Sequence, residues 1–140
     1  VRGEVRLAQV EGVDDEAAAD AAGVGIGLRR EPAAAAVGER PLGVQSGWIV
    51  AAGRWAAREF KTPIELRSDG PRTGLMALVA AALEPKLFAA VETPGAMKSL
   101  KEVIEKNRNY DEAPEWFCFG LLPACDIPQL RALAGLSSAE

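Results

Sequence analysis

The residues best suited to chemistry lie in a short turn-like segment in the middle of the chain. Residues 66–70 read Leu-Arg-Ser-Asp-Gly, which partly matches the G-x-S-x-G turn that presents a serine nucleophile between a strand and a helix. Ser68 would attack a carbonyl carbon, and Asp69 and Gly70 would form the turn and the oxyanion site. Leu66 replaces the first glycine of the pattern. The spacing therefore indicates a candidate nucleophile on an incomplete turn.

A serine nucleophile needs a general base, and the sequence contains no histidine. A Ser-His-Asp arrangement cannot be assembled from this chain alone. The carboxylates of Asp14, Asp15 and Glu16 are neighbours in sequence, so they do not converge on one helix face as a catalytic pair. Without histidine, and with Cys118 and Cys125 seven positions apart, no metal site is indicated. We expect neither a metal nor a cofactor.

Composition excludes several classes of function. The formal net charge is -4 and the pI is about 5.0, which argues against nucleic acid as a partner because such proteins are usually basic. The longest apolar run, residues 75–83, is shorter than the about 20 residues that span a bilayer, so we expect a soluble chain without a membrane partner. No signal peptide is visible at the start, and the compartment stays open.

The first forty residues carry a weak pattern. Residues 14–22 predict a short helix with acids in its first turn. Residues 23–27 read Gly-Val-Gly-Ile-Gly, but Leu28 stands where the dinucleotide-binding pattern needs glycine. The composition divides the chain into a poorly defined alanine- and glycine-rich segment, residues 1–40, and a partial domain, residues 41–140.

The segment before the candidate turn has helical periodicity to about residue 60. Val44, Trp48, Ala52 and Trp55 fall on one face of this helix,. A pair of tryptophans on one stripe is typical of a helix laid on a sheet, so we predict that Trp48 and Trp55 are buried there. A sugar-binding platform is the alternative.

The candidate turn lies within a predicted strand-helix-strand unit. Residues 63–67 predict a strand, residues 72–84 a helix that stops before Pro85, and residues 86–92 a continuously apolar strand of the kind buried in parallel sheets. Such a unit places the two strands side by side and parallel, with a right-handed connection. The helix is expected to bury Leu75, Leu78, Val79, Ala82 and Leu83.

Two capping patterns place the later helices. Ser99-Leu100-Lys101-Glu102 is a capping-box pattern, which predicts a helix to about Lys106 and gives Ser99 a structural role. Asp126 can cap a last helix over residues 127–134, which Gly135 would end.

An aromatic segment lies between these two helices. Trp116, Phe117 and Phe119 stand between Pro114 and Pro123. The segment is predicted to be a loop packed over the edge of the sheet. The alternative is a surface that binds a ligand or a protein partner.

Four segments together resemble a known family. They are residues 70–72 (Gly-Pro-Arg), 80–85 (Ala-Ala-Ala-Leu-Glu-Pro), 99–105 (Ser-Leu-Lys-Glu-Val-Ile-Glu) and 117–122 (Phe-Cys-Phe-Gly-Leu-Leu). Through them the chain resembles the middle of an α/β-hydrolase domain of the acetyl xylan esterase and dienelactone hydrolase type. The resemblance implies an α/β fold, namely a partial α/β-hydrolase-like three-layer fold with a parallel sheet flanked by helices. It also implies ester hydrolysis on carbohydrates in related full-length proteins.

The match departs from the family at the turn. Counting back from Pro85 by the usual helix length puts Pro71 in the nucleophile position, whereas matching Ser-x-Gly puts Ser68 there. In the family, the acidic residue and the histidine of the triad come from loops after later strands, which this sequence does not contain.

Three hypotheses about function follow. The first is a degenerate or incomplete hydrolase domain without triad catalysis of its own. The second is a serine esterase for acetylated carbohydrate whose missing triad members come from absent sequence or another chain. The third is a non-catalytic binding or assembly module that uses residues 116–119 to bind a carbohydrate ester or to self-associate.

Overall fold

The computed structural model describes residues 3–7, 40–118 and 120–136 and shows a mixed α/β fold. The strands are β1 (Gly3–Leu7), β2 (Ile64–Ser68) and β3 (Phe88–Glu92). The helices are α1 (Pro41–Phe60), α2 (Pro71–Leu83), α3 (Lys101–Glu105), α4 (Leu121–Ala124) and α5 (Ile127–Leu133), with a 3₁₀ helix at Pro114–Phe117. The predicted helix over residues 14–22, the glycine-rich residues 23–27 and Phe119 lie outside the described residues.

The strands form one small parallel sheet in the order β1-β2-β3. Ser68 at the end of β2 is level with Leu7 of β1, and Ile64 at its start is level with Phe88 of β3. The prediction that the strands near residues 63–67 and 86–92 are adjacent and parallel is confirmed. Strand β1 was not predicted from the sequence, because the alternation of charged and apolar residues in GEVRL covers only five residues.

Helix α1 meets the sheet through small residues at Gly53 and Ala56, and the predicted burial of its tryptophans is wrong. Trp48 is 45% exposed and Trp55 is 60% exposed. The helix approaches the sheet at Gly53, where an added Cβ would lie 2.8 Å from Cε1 of Phe88. Gly53 and Ala56 can face the sheet at this distance, whereas an indole cannot. The tryptophans therefore occupy the opposite face.

Helix α2 lies between two apolar clusters. Ala77, Ala80 and Ala81 pack with the sheet residues Ile64 and Leu66. A second cluster on α2 brings together Leu42, Leu75, Leu78, Met97, Leu100, Val103, Ile127 and Leu130. Both sides of α2 are covered by other parts of the fold. This explains why its sequence is apolar nearly all round and has no polar face.

The ends of the predicted apolar runs are less buried than expected. Leu83, the last residue of α2, is 63% exposed, which corrects its assignment to the core. In β3, Phe88 is buried but Ala89 and Ala90 are exposed, so the strand is not buried throughout. The reason is its position at one end of the strand order, with only β2 beside it among the described strands.

None of the helices in the described ranges combines the length and the apolar content that a bilayer crossing requires.

Candidate functional site

The turn between β2 and α2 is built around Gly70 and not around Ser68. Strand β2 ends at Ser68, Asp69 is exposed, and Pro71 is the first residue of α2. Gly70 has φ 85 and ψ 174, a conformation that residues with a Cβ rarely adopt. The strained position between strand and helix is therefore held by a residue without a side chain.

Ser68 is buried inside the fold. Its side chain is fully inaccessible, and its hydroxyl has no hydrogen-bond partner in the structure. The expectation that Ser68 stands on an exposed turn is not met, because it is the last residue of the central strand. Pro71, the alternative in the nucleophile position, carries no nucleophilic atom.

The backbone donor at this turn is already in use. The Gly70 N–H donates to the carbonyl oxygen of Pro94, with an N···O distance of 2.9 Å. An oxyanion hole needs backbone N–H groups that point at the reacting oxygen of the substrate. The Gly70 N–H is instead directed to the loop that follows β3. The Gly70 N–H is therefore not free to stabilise an oxyanion, as the role predicted for Asp69 and Gly70 requires.

A buried ion pair fixes the first turn of α2. The Arg72 guanidinium donates through Nε and NH2 to the two carboxylate oxygens of Glu115. Glu115 is fully buried in the 3₁₀ helix, and Arg72 is largely buried. Because a lone buried carboxylate is costly, this bidentate contact holds residues 114–117 against α2.

The described aromatic residues Trp116 and Phe117 lie in the 3₁₀ helix rather than in a loop. Trp116 and Phe117 are half-buried and pack against the second apolar cluster. The Arg108 guanidinium lies 5.5 Å from the centroid of the Trp116 ring, within the range of a cation-π contact,. Phe117 has its ring centroid 5.5 Å from that of Tyr110. The two described members of the predicted patch are thus largely engaged within the fold.

The capping residues take structural roles, as predicted for Ser99 and Asp126. The Asp126 carboxylate accepts from the Ile127 N–H and forms a capping box with Gln129 at the start of α5. The Ser99 hydroxyl donates to the same carboxylate, with an O···O distance of 2.6 Å. Asp126 therefore joins α5 to the beginning of α3.

The predicted capping box at Ser99 is formed only in part. The Ser99 carbonyl accepts from the Glu102 N–H, and its hydroxyl accepts from the Lys101 N–H. The Glu102 carboxylate accepts mainly from the N–H of Lys98, at 2.8 Å, with the Ser99 N–H as a weaker donor. Helix α3 accordingly begins at Lys101.

A pocket of about 550 Å³ opens beside the strand-helix turn. It follows the carboxyl end of β3, where open parallel sheets place their ligands. Its apolar lining is Pro71, Gly95, Ala96, Met97 and Trp116. Its charged lining is Lys98, Glu102, Glu105, Lys106 and Arg108.

Most of the pocket residues were not singled out from the sequence. Among the described residues that the sequence pointed to, Trp116 and Pro71, the alternative in the nucleophile position, line it, whereas Ser68 does not. A signal was available, because residues 95–98 directly follow the predicted strand and the carboxyl ends of parallel strands carry the ligand sites. The contribution of Arg108 depends on its stacking on Trp116, which no spacing in the sequence indicates.

Within the described residues, no three side chains of histidine, cysteine, aspartate or glutamate cluster as metal ligands. Comparisons with protein-family models, with curated proteins and with solved structures give no match.

Proposed function

We propose that the chain is a degenerate α/β-hydrolase-like domain that performs no triad chemistry by itself. The parallel β2-α2-β3 unit and the pocket at the carboxyl end of β3 support this proposal. Its fold would be part of a three-layer α/β-hydrolase-like fold, and the resemblance implies that related full-length proteins hydrolyse carbohydrate esters. The resemblance, which runs from about Arg40 to Leu136, is the second line of support.

The observation that carries the proposal is the chemistry of the turn at Gly70. The position with positive φ holds no nucleophile, and its N–H is bonded to Pro94. Ser68 is inaccessible, and the sequence has no histidine to activate any hydroxyl. A serine without a base is a poor nucleophile at neutral pH. The nucleophile, the general base and the oxyanion donor that triad catalysis requires are thus each lacking, for separate reasons.

Hydrolysis of an activated acetyl ester tests the proposal. Wild type, Ser68→Ala and Ser46→Ala are compared at equal concentration after removal of contaminating hydrolases. Ser46 is a matched control, since its side chain is also fully buried but lies on α1. We expect no saturable turnover that depends on Ser68. Saturable turnover that disappears in Ser68→Ala alone would refute the proposal and revive the esterase hypothesis.

The exposed aromatics of α1 favour a second candidate function, an assembly module. Trp48, Trp55 and Phe60 are all exposed on this helix, whereas Trp116 and Phe117 are half-buried. If self-association uses aromatic side chains, α1 is the better surface. Sedimentation of wild type and Trp55→Ser over a range of concentrations tests it. A wild-type monomer at all concentrations contradicts this candidate.

A further inference from the structure

Hydrogen bonds of Glu102 hold together part of the lining of the pocket beside the strand-helix turn. The Lys98 N–H donates to the Glu102 carboxylate at 2.8 Å, which fastens the loop after β3 to helix α3. Glu102 also accepts from Lys106 Nζ at 2.5 Å. These contacts hold the pKa of Glu102 below its ordinary value, with the Lys106 hydrogen bond as the largest cause and the Lys98 N–H next. The Glu102 charge is therefore compensated within the fold.

The remaining charges of the lining leave a basic surplus. Lys98, Lys106 and Arg108 face only two carboxylates, Glu102 and Glu105. The Lys98 ammonium is exposed and makes no ion pair with any described residue. Arg108 has Glu112 at 3.7 Å, on an exposed and weakly paired surface,. The Lys98 ammonium is thus the cation of the lining that is open to an anionic group.

Half of the lining residues are apolar. Met97 is buried in the second apolar cluster and lines the pocket, as do Ala96 and Pro71. The Trp116 ring adds a flat surface, and the Arg108 guanidinium lies over one of its two faces, 5.5 Å from the ring centroid. Small-molecule sites commonly combine an apolar wall with a few polar groups in a volume of about 300–1,000 Å³. The volume of this pocket, about 550 Å³, lies in that range, and its lining is more highly charged than is usual.

We propose that this pocket binds a small organic monocarboxylate with an apolar ring or chain. The carboxylate would accept hydrogen bonds from Lys98 and Arg108, and the apolar body would lie against Met97 and Trp116. The site is independent of the proposed loss of triad chemistry, because it uses none of Ser68, Asp69 or Gly70. Ester turnover tests the proposed loss of triad chemistry, and carboxylate binding tests the proposed pocket.

Benzoate is the probe, and benzyl alcohol is its uncharged counterpart. The chain has three tryptophans, whose indole N–H signals can be followed by NMR. The Trp116 indole N–H is buried and has no hydrogen-bond partner in the structure, whereas Trp48 and Trp55 lie on the exposed face of α1. We expect benzoate to shift the Trp116 signal selectively, with a Kd on the order of millimolar for so small a ligand. Benzyl alcohol should shift it much less.

The matched variants are Lys98→Gln and Lys86→Gln. Both lysines are exposed, but Lys86 precedes β3 and does not line the pocket. Lys98→Gln should weaken benzoate binding by at least about fivefold through loss of a charge-assisted contact, and Lys86→Gln should leave it unchanged. The proposal is overturned if benzoate gives no selective shift, if benzyl alcohol binds equally well, or if both variants weaken binding alike.

Discussion

The Gly70 N–H and the Pro94 carbonyl oxygen form a hydrogen bond of 2.9 Å that closes the loop after β3 over the turn after β2. The next residue, Gly95, has φ 71, and a Cβ added there would lie 3.3 Å from both N and Cα of Gly70. The two loops therefore meet backbone to backbone. The contact that occupies a potential oxyanion donor also leaves no room for a side chain at Gly95.

The first prediction separates steric contact from backbone strain at Gly95. Gly95→Ala should lower the free energy of unfolding by about 2–3 kcal/mol, because it combines positive φ with a tight approach to Gly70. Gly135 is the matched control, with φ 72 and nothing within 4 Å of an added Cβ. Gly135→Ala should cost only about 1 kcal/mol. Equal losses in urea denaturation would contradict the close packing of the two loops.

The second prediction concerns the tryptophans of α1. Trp48→Ala should lower the free energy of unfolding by less than about 1 kcal/mol, since exposed side chains contribute little. Trp55→Ala should cost up to about 1 kcal/mol, because its ring meets Phe60 edge to face at 5.8 Å,. Leu78→Ala, at a fully buried position of α2, should cost about 2–5 kcal/mol. Chemical denaturation of the three variants measures these differences. If either tryptophan variant lost as much unfolding free energy as Leu78→Ala, that tryptophan would belong to the core after all.

The local features of the fold were predictable because they depend on neighbouring residues. Proline fixes φ, so Pro71 marks the first turn of α2 and Pro85 lies just beyond its end,. Asp126 was identified as a cap from its position before Ile127 and Pro128, and the structure confirms it. The parallel pairing of β2 with β3 follows from the helix that connects them,.

The face of α1 and the composition of the pocket were not predictable, because both depend on distant contacts. The sequence favours the tryptophans as the buried stripe, but the close approach of Gly53 to Phe88 selects the small-residue face. The pocket requires Trp116 to meet the loop at Lys98, and the Arg72–Glu115 ion pair holds the segment that contains Trp116. No periodicity in the sequence reports such contacts.

The third prediction distinguishes two equally buried serines. The Ser46 hydroxyl donates to the Met76 carbonyl oxygen at 3.2 Å, whereas the Ser68 hydroxyl has no partner. Removing an unpaired buried hydroxyl relieves a desolvation cost, so Ser68→Ala should leave stability unchanged or raise it by about 0.5–1 kcal/mol. Ser46→Ala should lower it by about 0.5–1 kcal/mol, after the better helix propensity of alanine is included. A clear loss in Ser68→Ala would show that its hydroxyl is bonded in solution.

The fourth prediction is a dependence of stability on pH through Asp126. Partial burial alone would raise the pKa of this carboxyl, but hydrogen bonds from Ser99, Leu100 and Ile127, with the charge of Lys101, lower it below its ordinary value of 3.8. A lowered pKa in the folded state means that the unfolded chain binds the proton more readily. The stabilisation by Asp126 is thus present above its ordinary pKa and is lost as pH falls through the folded value.

Asp126→Asn tests this dependence, because it keeps the size of the side chain and removes its charge. The variant should be less stable than wild type by about 1–2 kcal/mol at neutral pH, since the cap and the Ser99 contact are weakened. The difference in unfolding free energy between the two proteins should shrink as pH falls below 3.8. Asp111→Asn, at an exposed position, is the control and should follow wild type. A difference that stays constant down to acid pH would mean that the charge of Asp126 contributes nothing to joining α5 to α3.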